Sequence, residues 1–334
     1  MQIEAVEESV NYLALGLEWP LWKATELAGS GLRIENTAFK SIAIFASSVA
    51  GFAALPLYFT GRLLTLISDS YFKRNFIKIT SANKTEGSPK TFLSFNVCMM
   101  PGILSQIFGG MTPASQRVNQ LAQFIKAQRA DVVSLQELTF AGGGANQLIQ
   151  QIKDVYPHIF YRIGPNNAGM ENGLFFASRI KPISENYIPF QEITGRQYGF
   201  KRGFFVAQFE DQYVISTHLD PGRGTVRAEQ IKAIIEYKKG LSKPILLMGD
   251  LNIEPEDAAA HALLAGSFAN YDSEAAKHID ETNGTYLSKE QRWLQNDHIL
   301  TDRKIQQIVI PAFGDKYKNA PLSDHHAVLV RVNA

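Results

Sequence analysis

Several short apolar runs of this 334-residue chain stop at, or start from, a side chain that can hold a metal or move a proton. Val132–Leu135 runs into Gln136 and Glu137, Tyr213–Thr217 into His218, and Ile245–Met248 into Gly249, Asp250, Leu251 and Asn252. Asn96 interrupts the run Phe92–Val97, Asp297 opens the run HILT, and Ser323, Asp324 and His325 lead into Ala327–Val332. Gathered at one place, these groups would supply several carboxylates, two histidines and two carboxamides. Hard oxygen donors select Mg²⁺ or a similar ion over zinc. Such an ion neutralises phosphate oxygens and a leaving alkoxide. A histidine beside an aspartate can take a proton from water. A second histidine and side-chain amides can donate to the charge that builds on phosphoryl oxygens. A lone histidine after a strand is more often structural, and an aspartate at a strand end more often caps a turn. The ordered set carries the signal, not any one member.

The elements that must position these residues are strands. Phe92–Val97, Val132–Leu135, Leu174–Ala177, Phe204–Phe209, Tyr213–Thr217, Ile245–Met248, His298–Thr301 and Ala327–Val332 have strand length and strand composition. Helical patterns fall at Pro113–Gln128, Ala145–Val155, Arg227–Lys239 and Pro255–Ala265. Interspersed strands and helices imply an α/β layered domain, with sites built where the strands end.

The first ninety residues differ. Ser41–Gly61 contains no charged residue, and apolar character resumes after Arg62 as LLTLIS. About 20 apolar residues suffice to cross a bilayer. Pro56 would kink a helix there or separate two short ones. Leu13–Trp22 carries two tryptophans around Pro20, a composition suited to a membrane interface. We therefore expect residues 1–80 to form an apolar helical membrane-associated region, touching the membrane through residues 10–68, as a kinked span or as a re-entrant or interfacial pair. The competing reading is two buried helices of a soluble domain. Ser81–Lys90 reads as a polar linker, and 91–334 as the catalytic domain.

The bulk numbers agree with a globular chain: 45% hydrophobic, 19% charged, net charge +1. A near-neutral chain lacks the basic excess usual for nucleic-acid binding, so no nucleic-acid partner is expected. The single cysteine, Cys98, excludes an intrachain disulfide and fits a reducing, cytosolic compartment, or simply a fold that needs no bridge. With no Cys/His cluster, a structural zinc site is not expected. The acidic start MQIEAVEESV lacks the basic opening of a secretory signal.

In order, the chain shows SFNVC, VVSLQE, ENGLFFASRIKP, STHLDPG, MGDLNIEP, NDHIL and SDHHAV. From about Phe92 to Val332 it resembles the endonuclease/exonuclease/phosphatase superfamily. The resemblance implies a four-layer fold, two packed mixed β-sheets flanked by helices. It implies Glu137 as the main ligand of Mg²⁺ or Mn²⁺, with Asn96 near it and Asp324 beside the metal. It implies that Asp250 and Asn252 position the attacking water and the phosphate, and are candidates for a second ion. His325 would be the general base, oriented by Asp297, and His218 would hydrogen-bond the phosphate. Asn172 and Arg202 would contact the substrate.

Within the superfamily the chain resembles the membrane-associated neutral sphingomyelinases. NVC-x-x-P, NGLFFASR, STHLDP and the following RAEQ look like that branch, as do the two apolar N-terminal segments. The resemblance implies hydrolysis of a membrane lipid head group, sphingomyelin to ceramide and phosphocholine. One departure concerns the loop where that branch has an Asp and a Lys: Gln197 and Arg202 stand there. Glutamine cannot pair ionically with the cation, and arginine presents a planar fork rather than a point charge. Three other readings compete. A phosphoinositide phosphatase is disfavoured because RWLQNDHIL lacks that branch's tryptophan- and cysteine-containing block. Near-neutral charge disfavours a nuclease. The intact polar set disfavours a lipid-binding scaffold without turnover.

Overall fold

Strand residues alternate between two apolar environments, and that alternation sorts the domain into layers. A computed structural model describes residues 2–72, 75–80, 85–141, 144–165, 171–191, 202–271, 285–287, 293–310 and 321–332. Gln197 lies outside the described residues.

The chain opens with two long helices, α1 (Gln2–Leu32) and α2 (Thr37–Phe72). β1 (Ile77–Thr80), β2 (Thr91–Met99), α3 (Leu104–Gly109), α4 (Ala114–Gln128), β3 (Val132–Leu138) and α5 (Gly144–Ile152) follow. Next come β4 (His158–Ile163), β5 (Leu174–Ser178), β6 (Ser184–Pro189), β7 (Gly203–Gln208), β8 (Tyr213–His218), α6 (Gly224–Lys239) and β9 (Ile245–Asp250). The chain continues through α7 (Ala258–Ala265), β10 (Tyr286–Leu287), β11 (Trp293–Leu294), β12 (Asp297–Thr301), β13 (Ile305–Ile310) and β14 (Ala327–Val332).

Twelve strands form a seven-stranded sheet, β1-β4-β5-β3-β2-β14-β13, and a five-stranded sheet, β12-β9-β8-β7-β6, while β10 and β11 pair as a short two-stranded ribbon. Both large sheets are mixed. β2 and β3 are parallel across the α4 crossover, and β8 and β9 are parallel across α6, while their other neighbours are antiparallel. Phe92, Val132, Phe160 and Phe176 of the first sheet face Phe205, Val214, Leu246, Met248 and Ile299 of the second, closing the central core. On the first sheet's other face, Leu93, Phe95, Val133 and Leu135 pack against Leu121 and Ile125 of α4 and Leu148 and Ile152 of α5. On the second sheet's other face, Ile215 and Leu247 pack against Ile231 and Ile234 of α6 and Leu264 of α7. The result is a four-layer α/β/β/α sandwich. A polar chain crosses the central core: Gln136 Nε2 donates to Ser134 Oγ at 2.9 Å, and Ser134 Oγ lies 2.6 Å from Ser216 Oγ.

α1 and α2 form an antiparallel hairpin. Asn36 Oδ1 caps α2 by accepting the N–H groups of Ala38 and Phe39. Gly61 lets the helices approach closely, because a Cβ there would meet the Ala14 carbonyl at 2.7 Å. Across the hairpin Arg62 grips both carboxylate oxygens of Glu18 at 2.6–2.8 Å. The outer side of α2 presents Phe39, Ile42, Phe45, Phe52, Phe59 and Leu63 to the exterior. Its stretch Thr37–Ser68 is long and apolar enough to cross a membrane.

Pro56 neither breaks α2 nor separates two helices; both Pro56 and Pro20 lie inside continuous helices. A proline removes one i to i−4 hydrogen bond, and the bonds on either side still hold the helix. The side chains of Ser47, Ser48 and Thr60 add bonds to carbonyls four residues back. Ile77–Thr80, placed by the sequence reading in the N-terminal region, pairs with β4 as an edge strand of the first sheet. The helical part of that region thus ends at Phe72, before β1.

Candidate active site

Strand register alone brings three of the expected residues side by side. His218 pairs with Asp250 across β8 and β9, and Asp250 pairs with Asp297 across β9 and β12. Directly opposed residues project from the same face of a sheet. The first sheet supplies the facing half: Asn96 and Gln136 are partners in the β2–β3 ladder, with Glu137 one residue on. β14 enters antiparallel to β2, so Asp324 and His325, which precede it, arrive at the same end.

The backbone is bent at these positions. Glu137 has φ +57° and Asn252 φ +50°, conformations that side-chain-bearing residues adopt at a cost and that cluster at functional sites. The Glu137 bend wraps over Gly173 (φ +70°), where a Cβ would sit 3.0 Å from the Glu137 Cα. Asn252 turns back so that its N–H donates to Asp250 Oδ1 at 2.9 Å, while its Nδ2 donates to the Leu219 carbonyl at 3.1 Å.

The two sheets are joined at the site by Asn96 Nδ2, which donates to Asp250 Oδ2 at 2.9 Å. His325 Nδ1 lies 2.7 Å from Asp297 Oδ2. A carboxylate only accepts, so Nδ1 carries the proton and Nε2 is turned toward the carboxylates, 3.9 Å from Asp250 Oδ2. His218 Nε2 lies 3.6 Å from the same oxygen. Asp250, Asp297, His218 and His325 are all buried, whereas Glu137, Asp324 and Asn252 are half-buried and form the open side.

The electrostatics follow from packing like charges out of water. Burial raises the Glu137 carboxyl, and Asp324 raises it further. Burial likewise raises Asp250, with Asp297 and Glu137 adding to the effect. Burial by itself would lower His325; Asp297, Asp250 and Asp324 outweigh it and hold the imidazole at about 10. His218 goes the other way: burial, Arg202 and His325 push it well below its ordinary value, so it is neutral. Mutually raised carboxylates mark an excess of negative charge that a cation offsets. Asp250, Asp297 and His325 lie close enough together to share an ion. Because the Asp297–His325 contact is itself a hydrogen bond, the half-buried Glu137 and Asp324, with the Asn96 amide, are also candidate donors. All are hard oxygen donors, which fits Mg²⁺ or Mn²⁺.

Arg202 spends Nη1 on the carbonyls of His218 and Leu219, both at 2.8 Å, and so supports the strand end that carries His218. Asn172 is buried next to Gly173 and meets Tyr187 over Gly164.

Three residues support the site, two of which, Thr285 and Tyr286, escape the sequence reading. Thr285 Oγ1 accepts the N–H groups of Asn296 and Asp297 at 3.0 and 2.9 Å, fixing the aspartate's backbone. The Tyr286 ring lies 4.6 Å from the His325 ring. Ser323 Oγ donates to the Asn96 carbonyl at 2.6 Å. Only Ser323, adjoining Asp324 and His325, carried any signal; Thr285 and Tyr286 sit in an unremarkable polar stretch.

Residues 93–325 match the Endonuclease/Exonuclease/phosphatase family, and the chain belongs to that family. None of the curated proteins matches it. The fold is shared with sphingomyelinase C from Streptomyces griseocarneus, with a TM-score of 0.56 at 18% identity over 74% of this chain and 100% of that one. A beta toxin variant from Staphylococcus aureus with bound magnesium ions gives the same four values. D. rerio TDP2, complexed with a single-strand DNA product, matches with a TM-score of 0.54 at 16% identity over 74% of this chain and 100% of that one. Lipid-named and DNA-bound proteins thus share the fold alike. The expected exclusion of nucleic acid does not follow from it.

Proposed function

We propose that the chain is a Mg²⁺- or Mn²⁺-dependent phosphodiesterase that hydrolyses the head group of a membrane lipid, with sphingomyelin the leading substrate. The observation that carries this reading is the buried Asp297–His325 pair at 2.7 Å, with the imidazole's other nitrogen 3.9 Å from Asp250 at the end of β9. Glu137, Asn96 and Asp324 would hold the ion. When bound, the ion offsets the carboxylate charge that keeps His325 protonated and polarises the phosphoryl oxygens. His325 Nε2 then takes the proton of the attacking water, and Asp297 holds the ring and stabilises the imidazolium. The water oxygen bonds to phosphorus and the bond to the lipid oxygen breaks. The imidazolium returns its proton to that leaving oxygen. Asp250 and Asn252 orient the water and phosphate. Neutral His218 donates to the phosphoryl oxygens, where charge builds.

The apolar outer side of α2 supports a substrate held in a membrane, with attachment through residues 10–68. Sphingomyelin hydrolysis yields ceramide and phosphocholine. The TDP2 likeness gives a phosphodiester in DNA as the second reading. Full-length protein with sphingomyelin vesicles and Mg²⁺ should release phosphocholine, and Glu137→Ala and His325→Ala should each abolish release. Cleavage of a DNA strand without head-group release from any common lipid would overturn the lipid reading.

A further inference from the structure

α1 does not merely lie beside the domain. A buried polar seam runs from it to the turn that follows Glu137. Asn11 Oδ1 of α1 accepts from Arg162 Nη1 at 2.6 Å. Arg162, with φ +49° at the irregular point of the β4–β5 ladder, reaches Glu171, its Nε 3.9 Å from Oε1. Glu171 Oε2 accepts the backbone N–H of Phe140 at 2.6 Å. Phe140 is three residues beyond Glu137. Glu171 is two residues before Gly173, the glycine under the Glu137 bend. The Phe140 ring is held from the α1 side by Tyr12, at 6.3 Å between centroids, and from β4 by Tyr161, at 5.4 Å. Glu18, Arg62 and Thr65 of the hairpin line the same small cavity as Arg162 and Glu171.

A carboxylate buried to 8% exposure is costly unless it is paired and hydrogen-bonded. Here both needs are met, by one group tied to the hairpin and one tied to the turn. The segments it links, 137–141 and 171–173, are those whose backbones shape Glu137. We infer that Glu171 is a positioning residue: through the Phe140 N–H it fixes the Glu137 bend, and through Arg162 and Asn11 it makes that bend depend on the docked α1–α2 hairpin. The metal consequence rests on the reading of Glu137 as an ion ligand; the backbone consequence does not.

Two readouts on the full chain in detergent test this. Amide hydrogen exchange of segment 137–141 should be about 10- to 100-fold faster in Glu171→Ala, as expected on losing a hydrogen bond to a charged group. Exchange in α6 and α7 should be unchanged. Titrated Mn²⁺, read by its paramagnetic resonance, should bind about 10- to 100-fold more weakly. Glu171→Gln, which keeps an oxygen acceptor, should restore most of the protection. Asn11→Ala should accelerate the same segment, to a smaller degree. Lys126→Ala, which removes a surface ion pair with Asp154, serves as the control that moves neither readout. Unchanged exchange of 137–141 in folded Glu171→Ala overturns the inference. Faster exchange throughout the domain also overturns it, because it makes the role one of general stability. If Glu137→Ala binds Mn²⁺ as the wild type does, the ligand assignment fails, and the exchange data alone decide the link to the hairpin.

Discussion

Replacing Asp297 by asparagine keeps the shape of the group facing His325 and removes its charge. A histidine whose folded value lies above its unfolded one stabilises the fold below the unfolded value. That contribution is lost as pH rises through the folded value. For His325 the window runs from 6.5 to about 10, which at about 1.4 kcal/mol per unit is worth about 5 kcal/mol in total. Asp250 acts in the same sense: its raised folded value means the folded carboxyl holds its proton longer, so rising pH above 3.8 also costs stability. Asp297→Asn removes only one of three carboxylates around the ring, so we expect it to abolish about 2 kcal/mol of the slope. The assay is urea unfolding between pH 6 and pH 9.5 with a chelator present, so that no divalent ion competes with the protons. Wild type should lose stability across this range by at least about 2 kcal/mol, and Asp297→Asn should lose clearly less. Turnover in the presence of Mg²⁺ should fall in the variant by about 10²- to 10⁴-fold, as when a catalytic histidine loses its orienting carboxylate. Parallel stability curves for the two proteins would refute the argument that Asp297 sets the charge on His325.

Gly173→Ala places a Cβ 3.0 Å from the Glu137 Cα at a residue with φ +70°. It should lower stability by about 1–3 kcal/mol, seen as a lower Tm, and weaken Mn²⁺ binding. Phe45→Asp with Phe52→Asp removes two rings that are 72% and 74% exposed on α2. Burying a phenylalanine is worth about 1.5–3 kcal/mol, so flotation with vesicles should weaken more than tenfold while Mn²⁺ binding stays constant.

The strands that carry the site were legible because each is an apolar run ending in a polar group. β2, β3, β8, β9, β12 and β14 fall where the pattern places them. β1 (IKIT), β6 (SENYIP) and β13 (IQQIVI) did not stand out. They lie at sheet edges, where one side of the ladder is open and polar residues interrupt the run. β4 passed unread although it sits between β1 and β5, because HIFYRI sets a histidine and an arginine into its apolar run. Sheet order was beyond the pattern: nothing local to Ala327–Val332 says that it pairs with Thr91–Ser94. The same holds within the site. Residue types and order marked Asp297 and His325 as members of one polar set, and the family resemblance implied their pairing. Thr285 and Tyr286, which pin Asp297 and flank the imidazole, carry no local signature, because their roles arise only when distant segments meet. Glu171, within ENGLFFASRIKP, carries no local signature either, since its partners lie 31 residues back on the turn and in β4.

The Asn96–Asp250 hydrogen bond spans two sheets whose spacing is set elsewhere, by aromatic rings. Phe205 of the second sheet lies 5.1 Å from Phe160 and 5.0 Å from Phe176 of the first. The thickness of that phenylalanine layer acts as a shim between the two halves of the candidate site. Trimming it, as in Phe205→Leu, changes none of the polar groups at the strand ends, yet it should alter how far apart the acid-bearing edges stand. Activity in this fold is therefore a ruler for core packing some distance away, and thermally neutral core repackings are expected to spread widely in rate.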